Sequence, residues 1–552
     1  MPEVPTQNFL VYRDGKRRVR AETRVRQLED TVASPSFRRG RDSLISALIS
    51  AGELESALSD ADFDDATFAA AVTDHLAESA LRADEGLEYR LPVNECLRLL
   101  SRIKPHGELT VSIPEGFAYY ALHPLDFADT VSCVPLDMPS ALVIGIRSIG
   151  TTLSAVSAAK LKSIGVAVER TTVRPWGHPY ERKTTLTPAQ RAQVRVALSH
   201  GAAFMVCDEG PGRSGSSLLS VAEVLEQEGV RPEHIILLCS HEPDVDSLCA
   251  PRAAERWRRY RSIAAGLTRR LPGDAGRYVG GGEWRNLLIP QGSPWPAVWP
   301  QMESLKFLSR DGGGFIKFQG HGSYGQRVRQ RHEMLAESGF GENYMGQESG
   351  FNRLQVVHGT YPHPRDVSPA LLRHFAKYCA WRTTAFASSA SECDLHKLEE
   401  MTGINVEQEM GFTPELHLEL ARPAICDGRM QPYKWVAAAE DRWLKLDAAT
   451  HGDDHFFPGP TDIAWDLAGL CIEWELGAEA RDFLIAEYVR ISSDRPAARL
   501  PDYELAYAAF RLGWSRMAAS SVAGSVEEER LLRAARFYRN AMTHLQTPPV
   551  LA

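Results

Sequence analysis

The chain of 552 residues has no excess of basic charge: 62 Lys and Arg stand against 71 Asp and Glu, a net of -9. No global positive field favours nucleic acid. The basic stretch Lys16–Arg26 is local and reads as a solvated face. Cysteine is scarce and scattered: nine residues form no CxxC pair, which excludes a zinc ribbon and a thioredoxin-like motif. Cys207 and Cys239 lie inside apolar runs, where they are expected to be buried thiols acting as small hydrophobes. That usage fits a reducing, cytoplasmic setting. No run approaches about 18 uninterrupted apolar residues, so no membrane span is expected. The opening MPEVPTQNFLVYRDGKRR carries no apolar signal core. Solenoid and propeller arrays are excluded by the lack of any repeat at a fixed period.

What is present is the composition of a globular protein, 44 % hydrophobic and 24 % charged. At roughly 150 residues per domain, the length predicts about three or four folding units. Residues 1–90 read as a helical region, with apolar residues at three-and-four spacing over Ser43–Leu58 and Asp65–Leu81. Within 91–245 the pattern changes. Ala141–Ile146 (ALVIGI), Ala203–Cys207 (AFMVC) and Ile235–Cys239 (IILLC) are short apolar runs separated by helix-like segments such as Leu153–Ile164 and Ser216–Glu228. That alternation predicts an α/β unit around a parallel sheet buried on both faces. Residues 246–282 read as a helix and linker. Residues 283–552 begin with glycine-rich, strand-like text and continue into helices over Pro369–Ala387 and Leu505–Leu545, which predicts an α+β domain of two lobes.

Three loops in the α/β unit carry chemistry. The run FMVCDEGPGRSGSS places Asp208 and Glu209 at a strand end. A loop with Gly210, Gly212, Arg213, Ser214 and Gly215 follows, and a helix starts near Ser216 and Ser217. A strand end facing a helix N-terminus is where ligands bind in α/β sheets. Glycines admit backbone N–H groups to a phosphate, and the helix terminus adds positive potential. Two adjacent acids repel phosphate but suit a sugar's vicinal hydroxyls, directly or through a divalent cation, so the implied ligand is a sugar phosphate. The second loop, GIRSIGTT, puts Arg147, Ser148, Ile149, Gly150, Thr151 and Thr152 after another apolar strand, where they are candidates to hold a second anion. The third, RTTVRPWGHPYERK, offers Arg174, His178, Arg182 and Lys183 on a proline-interrupted loop that cannot be a continuous helix. The aromatic PEGFAYYALHP (Pro114–Pro124) reads as either a hood over an acceptor molecule or plain core.

These loops resemble the signature of the type I phosphoribosyltransferases over about 150 residues. The resemblance implies that Asp208 and Glu209 contact the ribose of phosphoribosyl pyrophosphate (PRPP), directly or through Mg2+, and that Arg213 to Ser217 cradle its 5-phosphate. It also implies that Arg147–Ser148 forms a strained pyrophosphate-binding peptide. Arg174, His178, Arg182 and Lys183 would close over the leaving group, where water exclusion and neutralised charge favour transfer. Gly210 and Pro211 depart from the apolar pair the family shows after its acids, and Arg213 stands where a threonine is frequent.

In the C-terminal half, Gly314–His321 (GFIKFQGH) reads as a strand carrying Lys317, and a helix at about Arg327–Ser338 carries Glu333. Arg442–Asp447 (RWLKLD) reads as a strand ending in an acid, and Asp462–Leu470 (DIAWDLAGL) opens a helix containing Asp466. This order resembles the aminoglycoside-phosphotransferase branch of the protein-kinase-like fold. The resemblance implies that Lys317 contacts phosphate with Glu333 as its partner, that Asp447 binds metal, and that Asp466 is structural. The catalytic loop departs from the pattern. In CDGRMQPYK, with Gly428 and Pro432 aligned, Arg429 replaces the base and Lys434 the metal-binding Asn, while Asp427 lies two residues early. A permanently charged arginine cannot accept a proton, so a pseudokinase is expected, with a nucleotide as its possible partner.

The leading expectation is a PRPP-dependent transferase with Mg2+, a small-molecule acceptor and release of pyrophosphate. Two readings stay open beside it: a non-catalytic PRPP sensor, and a small-molecule kinase working through the C-terminal domain. A homodimer is also left open. No nucleic-acid or membrane partner is expected.

Overall fold

In the computed structural model the apolar runs are strands, as expected. The described residues are 8–34, 37, 40–87, 93–134, 138–266, 268–439 and 442–546. The expected boundary at 90–91 lies outside them. Two strands, β1 (Lys16–Arg20) and β2 (Glu108–Ser112), pair antiparallel beside the helices Arg41–Asp60 and Ala66–Asp84. Five strands then build a wholly parallel sheet: β3 (Ser140–Ile146), β4 (Ala167–Val173), β5 (Ala203–Cys207), β6 (Ile235–Cys239) and β7 (Arg261–Ala264), in spatial order β4-β3-β5-β6-β7. Because side chains alternate along a strand, each apolar run feeds two cores. Ala141, Val143, Ala203, Met205 and Cys207 face the helices Arg41–Asp60, Ala66–Asp84 and Ile149–Ser163. Leu142, Ile144, Phe204 and Val206 face Pro188–Ser199 and Ser216–Gln227.

The segment 246–282 is not a linker. Its residues form β7, the last strand of the parallel sheet, and β8 (Ala275–Tyr278), the first strand of a second sheet. That second sheet is antiparallel and adds β9 (Lys306–Ser309), β10 (Gly314–Phe318), β11 (Tyr344–Glu348) and β12 (Phe351–Gln355), in the order β11-β12-β10-β9-β8. The helix Gly322–Glu337 follows β10. A helical lobe completes the chain, with Pro369–Ala385, Leu395–Met410, Ala464–Glu473, Ala478–Ser492, Leu500–Ser521 and Val526–Gln546 around one aromatic-rich core. Among the described residues no helix is long and apolar enough to cross a membrane.

Residues 8–14, ahead of β1, pack at the far end of the molecule. Phe9 and Val11 are buried in the core of the helical lobe. The Asn405 side chain accepts from Leu10 N–H at 2.7 Å and donates to Leu10 C=O at 2.9 Å, replacing a strand partner. Phe457 N–H donates to Val11 C=O at 3.0 Å, and Arg13 N–H donates to His455 C=O at 3.0 Å. Elsewhere the two halves meet where Tyr324 on Gly322–Glu337 donates to Glu53 on Arg41–Asp60, and where His321 N–H donates to Phe117 C=O at 2.9 Å. From residue 8 the chain therefore leaves the helical lobe, builds the α/β unit, and returns.

Asn405→Ala strands a half-buried donor and acceptor on Leu10. It is expected to lower unfolding stability by about 1–3 kcal/mol and to speed tryptic cleavage at Arg13. Unchanged denaturation and unchanged proteolysis would show that residues 8–14 are not anchored this way.

Candidate functional site

Two clefts carry chemistry, and they share a wall. The first lies at the C-terminal edge of the parallel sheet, a cavity of about 1040 Å3. It gathers many of the residues expected there: Arg147, Ser148 and Ile149 from the loop after β3; Arg174 and Arg182 from the loop after β4; and Asp208, Glu209, Gly210, Gly212 and Ser217 after β5. Gly150 is needed for packing rather than for a ligand, since a Cβ there would stand 2.4 Å from Cys207 O. The Arg147–Ser148 peptide is cis.

The other expected contacts are engaged within the protein. Thr151 and Thr152 are buried against the helix Arg41–Asp60, with Thr151 Oγ1 2.8 Å from Ser56 Oγ, and do not line the cavity. Ser214 and Ser216 donate to Pro179 C=O at 2.9 and 2.6 Å, so the proline-rich loop is docked on the serine loop. Asp60 holds both arginines, accepting from Arg147 Nη1 at 3.0 Å and from Arg174 Nε at 3.1 Å. Arg213 and Gly215 lie off the cavity lining, as do His178, 5.5 Å from Tyr180 ring to ring, and Lys183, whose ammonium lies 5.8 Å from the Trp176 ring. Asp208 and Glu209 are half-buried. Burial pushes Asp208 up to about 7 against the Glu209 N–H, and burial with Glu115 and Asp208 nearby pushes Glu209 up to about 8.

The second cleft runs between the antiparallel sheet and the helical lobe. Lys317 on β10 sits directly across from Lys306 on β9, and its ammonium donates to the Asp447 carboxylate. Lys434 donates to the other Asp447 oxygen at 2.9 Å, and Asp447 N–H donates to Glu342 Oε1 at 3.1 Å. Asp447 holds a left-handed backbone, φ 66°, costly for a residue with a Cβ. Burial alone would raise its carboxyl, but Lys317 and Lys434 hold it well below the usual carboxylate range. Burial lowers the Lys317 ammonium despite Asp447, and it opposes but does not overcome the rise that Asp447 causes at Lys434.

Behind this triad, Asp427 is fully buried and occupied. It accepts from Tyr378 OH at 2.5 Å and from Lys445 at 3.1 Å, with His451 Nδ1 at 3.2 Å. Burial opposes its ionisation, yet Lys445, His451 and Arg382 hold it below the usual range. Asp466 accepts the N–H groups of Asp427 and Gly428 at 2.9 and 2.8 Å, the structural role expected for it. Arg429 lines the cleft with its guanidinium 5.7 Å from the Trp514 ring. Glu333 is corrected: it lies on the outer face of its helix beside Arg329 at 3.9 Å, and Glu342 is the acid near Lys317. Asp453 and Asp454 were not anticipated. Asp453 pairs with Arg331 at 2.9 Å, and burial pushes Asp454 up to about 6 against Arg429. Tyr119, Tyr120, Met302 and Glu303 line both clefts.

One arm of the second cleft is an apolar slot between Phe315, Leu354, Leu446 and the stacked pair Trp284 and Tyr433, whose centroids are 6.3 Å apart at 27°. It ends on Lys317, Lys434 and Asp447. Among solved structures, the chain is similar to choline kinase LicA from Streptococcus pneumoniae, at 12 % identity and TM-score 0.31 over 47 % of this chain and 96 % of that one. It is similar to a choline/ethanolamine kinase family protein from Mesorhizobium loti, at 14 % identity and TM-score 0.31 over 47 % and 90 %. It is also similar to aminoglycoside 2'-phosphotransferase-IIIa, at 10 % identity and TM-score 0.31 over 47 % and 96 %. These likenesses are distant and speak to fold alone. No family model and no curated protein matches.

The expected phosphoribosyl transfer, with its glycosyltransferase assignment, is accordingly corrected. The cations and hydroxyls meant for PRPP are largely paired by Asp60, Ser56 and Pro179, engaged within the protein. Mg2+ does not fit the second cleft as it stands, because both Asp447 oxygens carry lysine ammoniums. Among the described residues no group of three or more His, Cys, Asp or Glu is placed to hold a metal.

The acid pair sets a pH dependence. Unfolded, Asp208 and Glu209 titrate near about 4; folded, they keep protons to about 7 and 8. The folded state binds more protons between these values, so stability falls as pH rises from about 4 to about 8. Asp208→Asn with Glu209→Gln removes that loss, and its Tm is expected to gain on the parent protein between pH 5 and pH 8. A pH-independent difference would contradict the assignment.

Proposed function

We propose that this chain binds a nucleoside polyphosphate in a cleft of small-molecule-kinase type and does not pass the phosphate to an acceptor. The observation that carries the reading is the apolar aromatic slot ending on Lys317, Lys434 and Asp447. A flat base suits the slot, since aromatic walls stack on π-faces, and the lysines suit phosphate oxygens. Transfer needs an acid that accepts the hydroxyl proton and aligns the nucleophile. Asp427 is buried among Tyr378, Lys445 and His451, and Arg429 stands where the base is expected.

One observation favours a second reading, an active small-molecule kinase. Asp454 lies in the same cleft with its carboxyl raised to about 6, where it is a competent base from outside the expected loop. At the sheet edge, the pairing of Asp208 and Glu209 over a large cavity supports a phosphorylated sugar, PRPP among that class, as a bound effector that is held rather than turned over. Any Mg2+ there would arrive on the ligand's phosphates.

Titrating ATP or ADP while following tryptophan fluorescence is expected to give saturable binding, weakened about tenfold or more by Lys317→Ala. Labelled ATP with a panel of amino and hydroxyl metabolites is expected to show no label transfer. Transfer abolished by Asp447→Ala or Asp454→Asn would establish the kinase instead.

A further inference from the structure

We infer that the kinase-like cleft takes its polyphosphate without a divalent cation, with the Lys434 ammonium built in where the metal would act. The inference rests on the nucleotide-binding reading and specifies the ionic form of the ligand. A divalent ion binds through carboxylate lone pairs. On Asp447 those oxygens already receive Lys317 on one side and Lys434 at 2.9 Å on the other, with His451 Nε2 3.5 Å from the second oxygen. To coordinate, a metal would have to expel a buried ammonium, and Lys434 is held there by the turn Pro432–Lys434 and by Leu446 N–H, which donates to Lys434 C=O at 2.8 Å.

The charge balance points the same way. One carboxylate, Asp447, faces two lysines, with Lys306 beside Lys317 and Arg429 on the same cleft. The other acids that line the cleft are Glu303 beside Lys306 at 3.9 Å, Glu342 on the Asp447 N–H, Asp453 beside Arg331 at 2.9 Å, and Asp454 near Arg429, while Arg327 adds a further cation. The surplus is cationic and stands ready to meet a phosphate chain.

An independent feature marks a place for acceptor atoms. Gln319 follows β10, is 5 % exposed, and lines the cleft. Its carbonyl oxygen accepts from His332 Nε2 and Asn352 Nδ2, both at 2.8 Å. Among the described residues its Nε2 has no hydrogen-bond partner. A buried, unpaired donor is costly, and a phosphate oxygen in the cleft would satisfy it. Metal-loaded phosphates would meet lysines that repel the ion; free phosphates meet three donors.

The test uses the full chain with ATP, by calorimetry, in EDTA and in excess Mg2+. Affinity in EDTA is expected to equal or exceed that in Mg2+. Lys434→Asn is expected to weaken binding in EDTA about tenfold or more and to make binding Mg2+-dependent, because it frees an Asp447 oxygen. Lys434→Arg, which keeps the charge, is expected to retain metal-free binding, and circular dichroism checks that both variants fold. Wild-type binding at least about tenfold tighter in Mg2+ overturns this inference and leaves the nucleotide reading standing. No binding in either condition overturns both.

Discussion

The buried ion triad of Lys317, Asp447 and Lys434 fixes the second half of the molecule. Lys317 comes from the antiparallel sheet, Lys434 from the loop before the hairpin of Trp435–Ala439 and Arg442–Lys445, and Asp447 from the turn after it. Three segments meet on one carboxylate in a site where charges are costly to bury. Removing one partner of such a set costs about 3–5 kcal/mol, because the others stay buried and uncompensated. The left-handed backbone at Asp447 is tolerated under the same constraint, its N–H held by Glu342 and its side chain by both lysines. Sheet and helical lobe are thus locked at the point where the slot ends.

The α/β unit closes the other side of that cleft. Tyr119 OH lies 3.4 Å from Asp453 C=O, Tyr120 OH lies 3.4 Å from His455 Nε2, and Tyr12 stacks on His455 and Phe456. Tyr119 and Tyr120 also border the cavity at the parallel-sheet edge. A ligand that moves this aromatic wall from either side changes the shape of both cavities, which is the physical requirement for coupling between sites. The parallel sheet therefore contributes a wall as well as a cavity of its own.

The parts of the fold written in periodic patterns were legible. ALVIGI, AFMVC and IILLC are adjacent parallel strands, and Lys317 and Asp447 meet although 130 residues separate them. Direction around a loop was not legible. Thr151 and Thr152 carry the right hydroxyls after a strand end, yet one turn of helix points them at Arg41–Asp60, and nothing in their spacing says so. Glu333 sat on the expected helix but on its outer face, while the acid that reaches Asp447 is Glu342 in an irregular connection. The anchoring of Leu10 by Asn405 spans 395 residues and leaves no local pattern. Loop residues were misplaced where the decisive contacts are long-range.

The central claim is that the cleft beside Lys317, rather than the sheet-edge cavity, receives the nucleotide. Hydrogen exchange of the full chain with and without ATP decides it most directly. The account predicts slowed exchange at Gly314–Gln319, Leu354–Val357 and Lys434–Asp447, where the slot and the ion triad lie. Slowed exchange confined to Arg147–Thr152 and Asp208–Ser217 would contradict it.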